Sequence, residues 1–132
     1  MKNPYQKAVE QYKSIELQTR VESASPHELI DLLLQGARSN IATAQGHIER
    51  NKISEKGLHI SKAISIIEGL RTSLDFEQGG DIAVNLDKLY DYIQQILLKA
   101  NIESSQQLLG EANLLLGEIH QAWQNIPKEV DA

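Results

Sequence analysis

The chain has 132 residues, with 13 basic and 18 acidic side chains, a formal net charge of −5 and no cysteine. That length fits one domain with its own core, and the acidic balance argues against a nucleic-acid binder or docking on an anionic membrane. Disulfides, thiolate catalysis and cysteine-ligated metal sites are excluded outright. No apolar run approaches the roughly 18 residues of a membrane span. The N-terminal MKNPYQKAVEQYK lacks the apolar block of a signal peptide. A soluble, cytoplasmic protein without membrane insertion is the expectation.

Ala, Leu, Ile, Gln and Glu abound, and no alternating run is bounded by hairpin turns, so the pattern is helical rather than stranded. Residues 1–20 form a polar arm with scattered Tyr5, Val9, Tyr12, Ile15 and Leu17, and Val21 just beyond it. The arm reads as a short helix or an extended cap. A helix then starts at Ser25-Pro26-His27-Glu28, where Ser25 can cap, Pro26 suits the first helical position and Glu28 can close a capping box. Its inward face is Leu29, Leu33, Ala37, Ile41, Ala44 and Ile48, and it ends at Asn51-Lys52.

The next helix starts near Ser54 and turns Ile60, Ala63, Ile64, Ile67, Leu70 and Leu74 inward. Residues 75–80, DFEQGG, read as a turn, with Asp81 capping a third helix whose inward face is Ile82, Leu86, Leu89, Ile93, Leu97 and Ala100. Asn101 ends that helix. Ser104 and Gln107 form a second capping box. The last helix buries Leu108, Ala112, Leu115, Ile119 and Trp123, and Pro127 stops it. Short connections make neighbours antiparallel. The expected fold is all-α: an up-down four-helix bundle over residues 25–126, behind the arm, in one domain spanning 1–132.

The chain holds more apolar residues than these stripes use. Leu114 falls opposite the stripe of the last helix. Leu32 lies outside the stripe of the Ser25 helix and Leu34 at its edge. Val84 and Leu98 are off the stripe of the Asp81 helix, and Tyr92 is at its margin. Adjoining residues of this kind would make a partner surface, such as a groove that receives an amphipathic helix.

Catalytic and cofactor motifs are missing. The residues three before His27, His47, His59 and His120 are Ala24, Ala44, Lys56 and Gly117, so the Glu-x-x-His of di-iron bundles fails at each. No HExxH, P-loop, dinucleotide or nucleophile-elbow motif occurs. Glu55 with His59, and Asp87 with Asp91, read as solvated helix pairs. One alternative stands: His59-Ile60-Ser61-Lys62 has the H-x-x-K pattern of histidine phosphotransfer bundles, with Ala63 where that motif usually has glycine. A generic adaptor bundle for some other amphipathic segment is a further fallback.

Taken together, the motifs resemble the FliS type of flagellar secretion chaperone. The matching residues are Val21 to Ile30 (VESASPHELI), Gly36-Ala37, Lys62-Ala63-Ile64 with Ile66-Ile67, Leu74-Asp75, Gly79 to Ala83, Asn85 to Tyr92 (NLDKLYDY), Leu97, Ala100-Asn101 and Trp123. The likeness covers nearly the whole chain. It implies a cytoplasmic four-helix bundle with an N-terminal cap that binds the disordered C-terminal segment of flagellin, prevents early polymerisation and assists type III export. It implies no catalysis and no cofactor. The export gate and other flagellar regulators are further partners in view, and a homodimer is left open. Val9 and Tyr12 match the apolar pair that the family uses in partner binding. Leu34-Gln35 stands where many members have Tyr-Asp, and Ser23-Ala24-Ser25-Pro26 where Thr-Ala-Ser-Pro is usual.

The partner-binding set is therefore Val9, Tyr12, Leu32, Leu34, Ile41, Tyr92, Leu98 and Leu114, with no catalytic or metal-ligating residue. Tyr90, within the stripe, is read as core, and Trp123 as a plug at the bundle end. The arm is expected to lie in the empty groove and move aside when the partner arrives.

Overall fold

A computed structural model describes residues 23–126. It contains α1 (Pro26–Glu49), α2 (Ile53–Thr72), α3 (Phe76–Glu103) and α4 (Gln106–Gln124). Each helix packs on its two neighbours, so the ring closes from α1 through α2 and α3 to α4 and back to α1. No strand occurs among the described residues. The all-α bundle read from the sequence is the fold. Val9, Tyr12, the rest of the 1–20 arm, Val21 and Pro127 lie outside the described residues.

Helix boundaries follow local chemistry. Ser25 has extended backbone, and its hydroxyl accepts from the Glu28 N–H at 3.2 Å, with Pro26 opening the helix as expected. After Arg50, Asn51 takes a left-handed φ of 57° and its N–H donates to the Ile48 carbonyl at 3.0 Å. Asparagine tolerates that conformation, so it ends α1 in the role glycine often fills. Ser54 does not cap α2, which starts one residue earlier at Ile53 behind Lys52.

Two starts differ from expectation. Asp75, not Asp81, opens α3: its Oδ1 accepts from the N–H groups of Glu77 at 3.1 Å and Gln78 at 3.0 Å. A single turn forms, breaks at Gly80 (φ 51°, ψ −127°), and the long helix continues beyond it. The adjacent glycines made the stretch read as a plain turn, although an aspartate ahead of it can nucleate one helical turn. At the other end α3 runs past Asn101 to Glu103. Ser104 takes the left-handed closing position at φ 49°, which leaves Ser105 to cap α4 by accepting from the Leu108 N–H at 3.1 Å.

The interior is built from small and branched residues. Leu34, Ala37, Ile41, Ala44, Ile60, Ala63, Ile67, Ile93, Leu97, Ala100, Leu109, Ala112 and Leu116 are fully buried. Leu34 and Ile41, expected among the partner contacts, are thus fully buried in the core, and of the two only Leu34 also reaches the cavity described below. The reason is geometric: positions 34, 37, 41 and 44 repeat at alternating spacings of three and four, so they form one stripe that points to the bundle axis. In α4 the deepest residues are Leu109, Ala112, Leu116 and His120, while the expected Leu108, Leu115, Ile119 and Trp123 are partly buried. A helix with two neighbours has two adjoining apolar stripes, and their spacing alone does not rank them. Ile82, expected inward, is 77% exposed. It follows the Gly80 break, at the end where the helices do not close over one another.

Polar side chains tie the perimeter. Arg71 of α2 donates from Nε to Asp87 at 2.8 Å and from a terminal nitrogen to Asp91 at 3.3 Å and Gln94 at 2.8 Å, all on α3. Asp87 and Asp91 are thus partners of a cation on the next helix rather than free surface charges. The Arg71 hydrogen bond holds the Asp87 carboxyl below the usual carboxylate range. Lys56, nearly fully buried, donates from Nζ to the Asn101 carbonyl at 2.7 Å and the Ser104 hydroxyl at 3.0 Å, satisfying the end of α3 from α2. Substituting Lys56→Met keeps the stem and removes both bonds; the expected loss is about 1–3 kcal/mol in urea unfolding. Arg71→Ala should lower Tm by less in high salt than in low salt, because its partners are half exposed.

Candidate partner-binding site

Apolar residues of the core and its margin open into a hollow at one end of the bundle. There the N-terminus of α1, the C-terminus of α2, the start of α3 and the C-terminus of α4 surround a cavity of ≈ 590 Å³. Ile30 and Leu34, Leu70 and Leu74, Leu86 and Tyr90, and Ile119 and Trp123 supply its walls from the four helices. The polar lining is confined to Ser73, Asp75 and Gln78, beside the break in α3. Such a hollow, mostly apolar with a few polar groups at its rim, is a binding geometry.

Trp123 is held within this wall by α1. Its ring stacks on His27 with centroids 4.9 Å apart, and its indole N–H donates to the His27 carbonyl at 3.0 Å. Among the described residues, the plug expected from the sequence is thus a side wall of an open end. Tyr90 is buried as expected, and burial pushes its phenol up to about 12, so the hydroxyl stays protonated.

The other expected contacts distribute over several faces. Tyr92 is 47% exposed, and its hydroxyl donates across the α3–α4 boundary to Glu111 at 2.7 Å. Leu114, one turn beyond Glu111 on α4, is 65% exposed, so Tyr92 and Leu114 belong to one face. Leu98 is 49% exposed and aligns with Val84 and Ile102 along the outward side of α3. Leu32 is half-buried, one turn before Gly36, whose position packs on Ile66 of α2. Leu32 therefore belongs to the α1–α2 side. No single trough holds the whole set. The hollow that exists is made mostly of Ile30, Leu70, Leu74, Leu86 and Ile119, residues the stripes assign to the core, together with the rim residue Ile82. The available signal was the pair Gly79-Gly80 beside Phe76, which keeps α3 from sealing that end.

Histidines complete the polar inventory. Buried His120 of α4 hydrogen-bonds Asp31 of α1 through Nε2 at 2.6 Å, and its Nδ1 meets an Arg38 nitrogen at 3.2 Å. Arg38 also donates to Asn113 at 3.2 Å, and its guanidinium lies across Gly117. Gln45, two turns further along α1, lies against Gly110, and its carbonyl accepts from Gln106 at 2.9 Å. These groups close the α1–α4 seam. His59 is half-buried, stacks on His47 at 5.3 Å between ring centroids, and shares a 2.8 Å hydrogen bond with Asn40 through Nδ1. That placement is a poor fit to a phosphoryl acceptor, which needs a free, exposed imidazole. Among the described residues no group of three or more His, Asp or Glu is placed to hold a metal ion, and no helix is long and apolar enough to cross a membrane.

Comparison with known proteins agrees with this geometry. A family model described as flagellar protein FliS matches residues 8–130. The flagellar secretion chaperone FliSB of Pseudomonas aeruginosa is 46% identical over 120 residues, covering 91% of this chain and 95% of that protein. The flagellar secretion chaperone FliS of Salmonella typhimurium is 42% identical over 119 residues, covering 89% of this chain and 88% of that protein. The FliS of Bacillus subtilis is 28% identical over 106 residues, covering 80% and 78% respectively.

The imidazole pair makes a pH prediction. Burial, then Lys62 and then His47 hold the His59 imidazole below its ordinary value of 6.5. Above 6.5 both folded and unfolded chains carry it neutral, so its packing counts fully. As pH falls below that value the unfolded chain takes a proton first, and stability drops until the folded site also protonates. The fall in Tm between about pH 7 and about pH 5.5 should be smaller in His59→Gln than in the wild type.

Proposed function

The chain belongs to the FliS family of flagellar proteins, and from that premise we propose that it is a cytoplasmic export chaperone for flagellin. It binds the disordered C-terminal segment of flagellin, keeps that segment from polymerising early and assists its delivery to the export apparatus. The observation that carries this reading is the apolar cavity at the open bundle end, next to exposed Ile82 and Val84, with Leu98, Tyr92 and Leu114 further along α3 and α4. A segment that must be disordered alone yet helical in a filament gains on this surface the apolar contacts it would otherwise seek in its own kind. Because the exposed residues lie on more than one face, the bound segment must pass around the bundle rather than occupy one straight groove. Ordering it costs several kcal/mol, so a wide, distributed interface is what tight binding requires.

The arm belongs to the same mechanism. The described chain begins next to the Ser25 cap, at the N-terminus of α1, whose Ile30 and Leu34 line the cavity. We assign Val9 and Tyr12 the role of shielding that apolar end in the free protein and yielding it to flagellin. Nothing in the site supplies catalysis, and the roles of Leu32, Tyr92, Leu98 and Leu114 are contact alone.

Calorimetry with the C-terminal ~40 residues of the same organism's flagellin tests the reading: binding should show a strongly negative heat-capacity change and a gain of helix by circular dichroism. No binding would reject it. Leu114→Asp should weaken binding about tenfold or more with Tm unchanged, since the side chain is exposed. His59→Gln should leave binding intact; loss of phosphoryl uptake in that variant would instead favour phosphotransfer. Deleting residues 1–15 should raise the binding of an apolar dye to the free protein, and no rise would reject the shielding arm.

A further inference from the structure

The opening turn of α3 has the build of a moving part. It runs between two points of backbone freedom: Asp75 in extended conformation (φ −104°, ψ 100°) and Gly80 at φ 51°, ψ −127°. The second conformation is closed to side chains with a Cβ, and a Cβ added at Gly80 would meet nothing within 4 Å. Backbone geometry, not crowding, therefore calls for glycine there. Between these points residues 76–79 hold together as one unit. The Gly79 N–H donates to the Asp75 carbonyl at 2.8 Å, and the Asp75 carboxylate accepts from Glu77 and Gln78. At Gly79 the reason is different: a Cβ would lie 2.8 Å from that of Ala83, so its absence lets the turn fold flush against the next turn of α3.

This unit is also part of the cavity. Asp75, Gln78 and Gly79 line it from one side of Gly80, and Ile82, Ala83 and Leu86 line it from the other. Rotation at Gly80 must change the width of the opening. The turn carries the chain's one phenylalanine, Phe76, which is half exposed and outside the cavity wall. A bulky apolar side chain on a short arm beside an apolar mouth is what a closing element needs.

We propose that residues 75–80 form a hinged flap that gates the bundle-end cavity, with Gly80 as its hinge, the Asp75 cap holding the flap together as one rigid unit and Phe76 as the side chain it brings over the opening. The gating is a property of the free protein. Its use, to slow escape of a bound flagellin segment, rests on the function proposed above.

Trp123 is the sole tryptophan and lines the cavity, so it reports access without labelling. The full chain is compared with Asp75→Ala, which loosens the flap so that it no longer closes as one unit, and Gly80→Ala, which strains the hinge. With helicity preserved, acrylamide quenching of Trp123 should rise roughly twofold, and amides 76–79 should exchange about tenfold faster in Asp75→Ala. Unchanged quenching and exchange in Asp75→Ala would overturn the flap. If Gly80→Ala fails to fold, Asp75→Ala decides alone, because it leaves the Gly80 hinge intact and the exchange of amides 76–79 reports the flap directly. In stopped-flow measurements with the flagellin C-terminal segment, Phe76→Ser should speed dissociation about tenfold with association unchanged. Unchanged dissociation would overturn the retention role. A wild-type chain that takes up no flagellin segment would overturn the functional reading alone, since the quenching comparison still tests the flap.

Discussion

Everything in this molecule depends on a narrow, mostly apolar interior. Ala37, Ala44, Ala63, Ala100 and Ala112 are fully buried alongside Ile and Leu from all four helices. Small side chains let helix axes approach, and branched ones fill what remains, so the centre reaches native packing with few residues. A centre that thin cannot absorb the chain's whole supply of leucine and isoleucine. The remainder must lie elsewhere, at the unsealed end, on the outer faces of α3 and α4 and, at Ile53 and Leu58, on α2. Function and fold thus come from one accounting of apolar surface.

The perimeter is handled differently from the centre. Arg71 spans α2 to α3, Lys56 closes the end of α3, and the Asp31–His120–Arg38 group joins α1 to α4. Each satisfies polar groups that helix packing would otherwise strand. Their arrangement leaves the α3–α4 face comparatively free of cross-ties: there the hydrogen bond between Tyr92 and Glu111 is the side-chain link seen. The face with Tyr92 and the exposed Leu114 is consequently the one a partner can cover without breaking a charged cluster.

The architecture was legible in the sequence because long amphipathic periodicity and the Ser25-Pro26 start are local signals that tertiary context rarely reverses. The NLDKLYDY block added a likeness that the comparisons bear out as family membership. What spacing could not supply was depth. Leu34 and Ile41 belong to the innermost stripe of α1, and Ile82 is outside although its periodicity points in, because the Gly80 break shifts where the bundle ends. His120 and Lys56 were unreadable for a related reason. A buried polar side chain is intelligible only through its partner, and Asp31 and Asn101 are distant in sequence.

The paired glycines of α4 carry one last consequence. Gly117 takes Arg38 and Gly110 takes Gln45, seven residues apart on each of two antiparallel helices. The two fits work like teeth in notches, indexing one helix against the other. Sliding α4 by a turn would press the Arg38 guanidinium onto Leu114 or His120 and empty both notches together. The bundle can therefore be loaded from outside without shearing lengthwise. The frame that α1 and α4 make together has only one longitudinal setting.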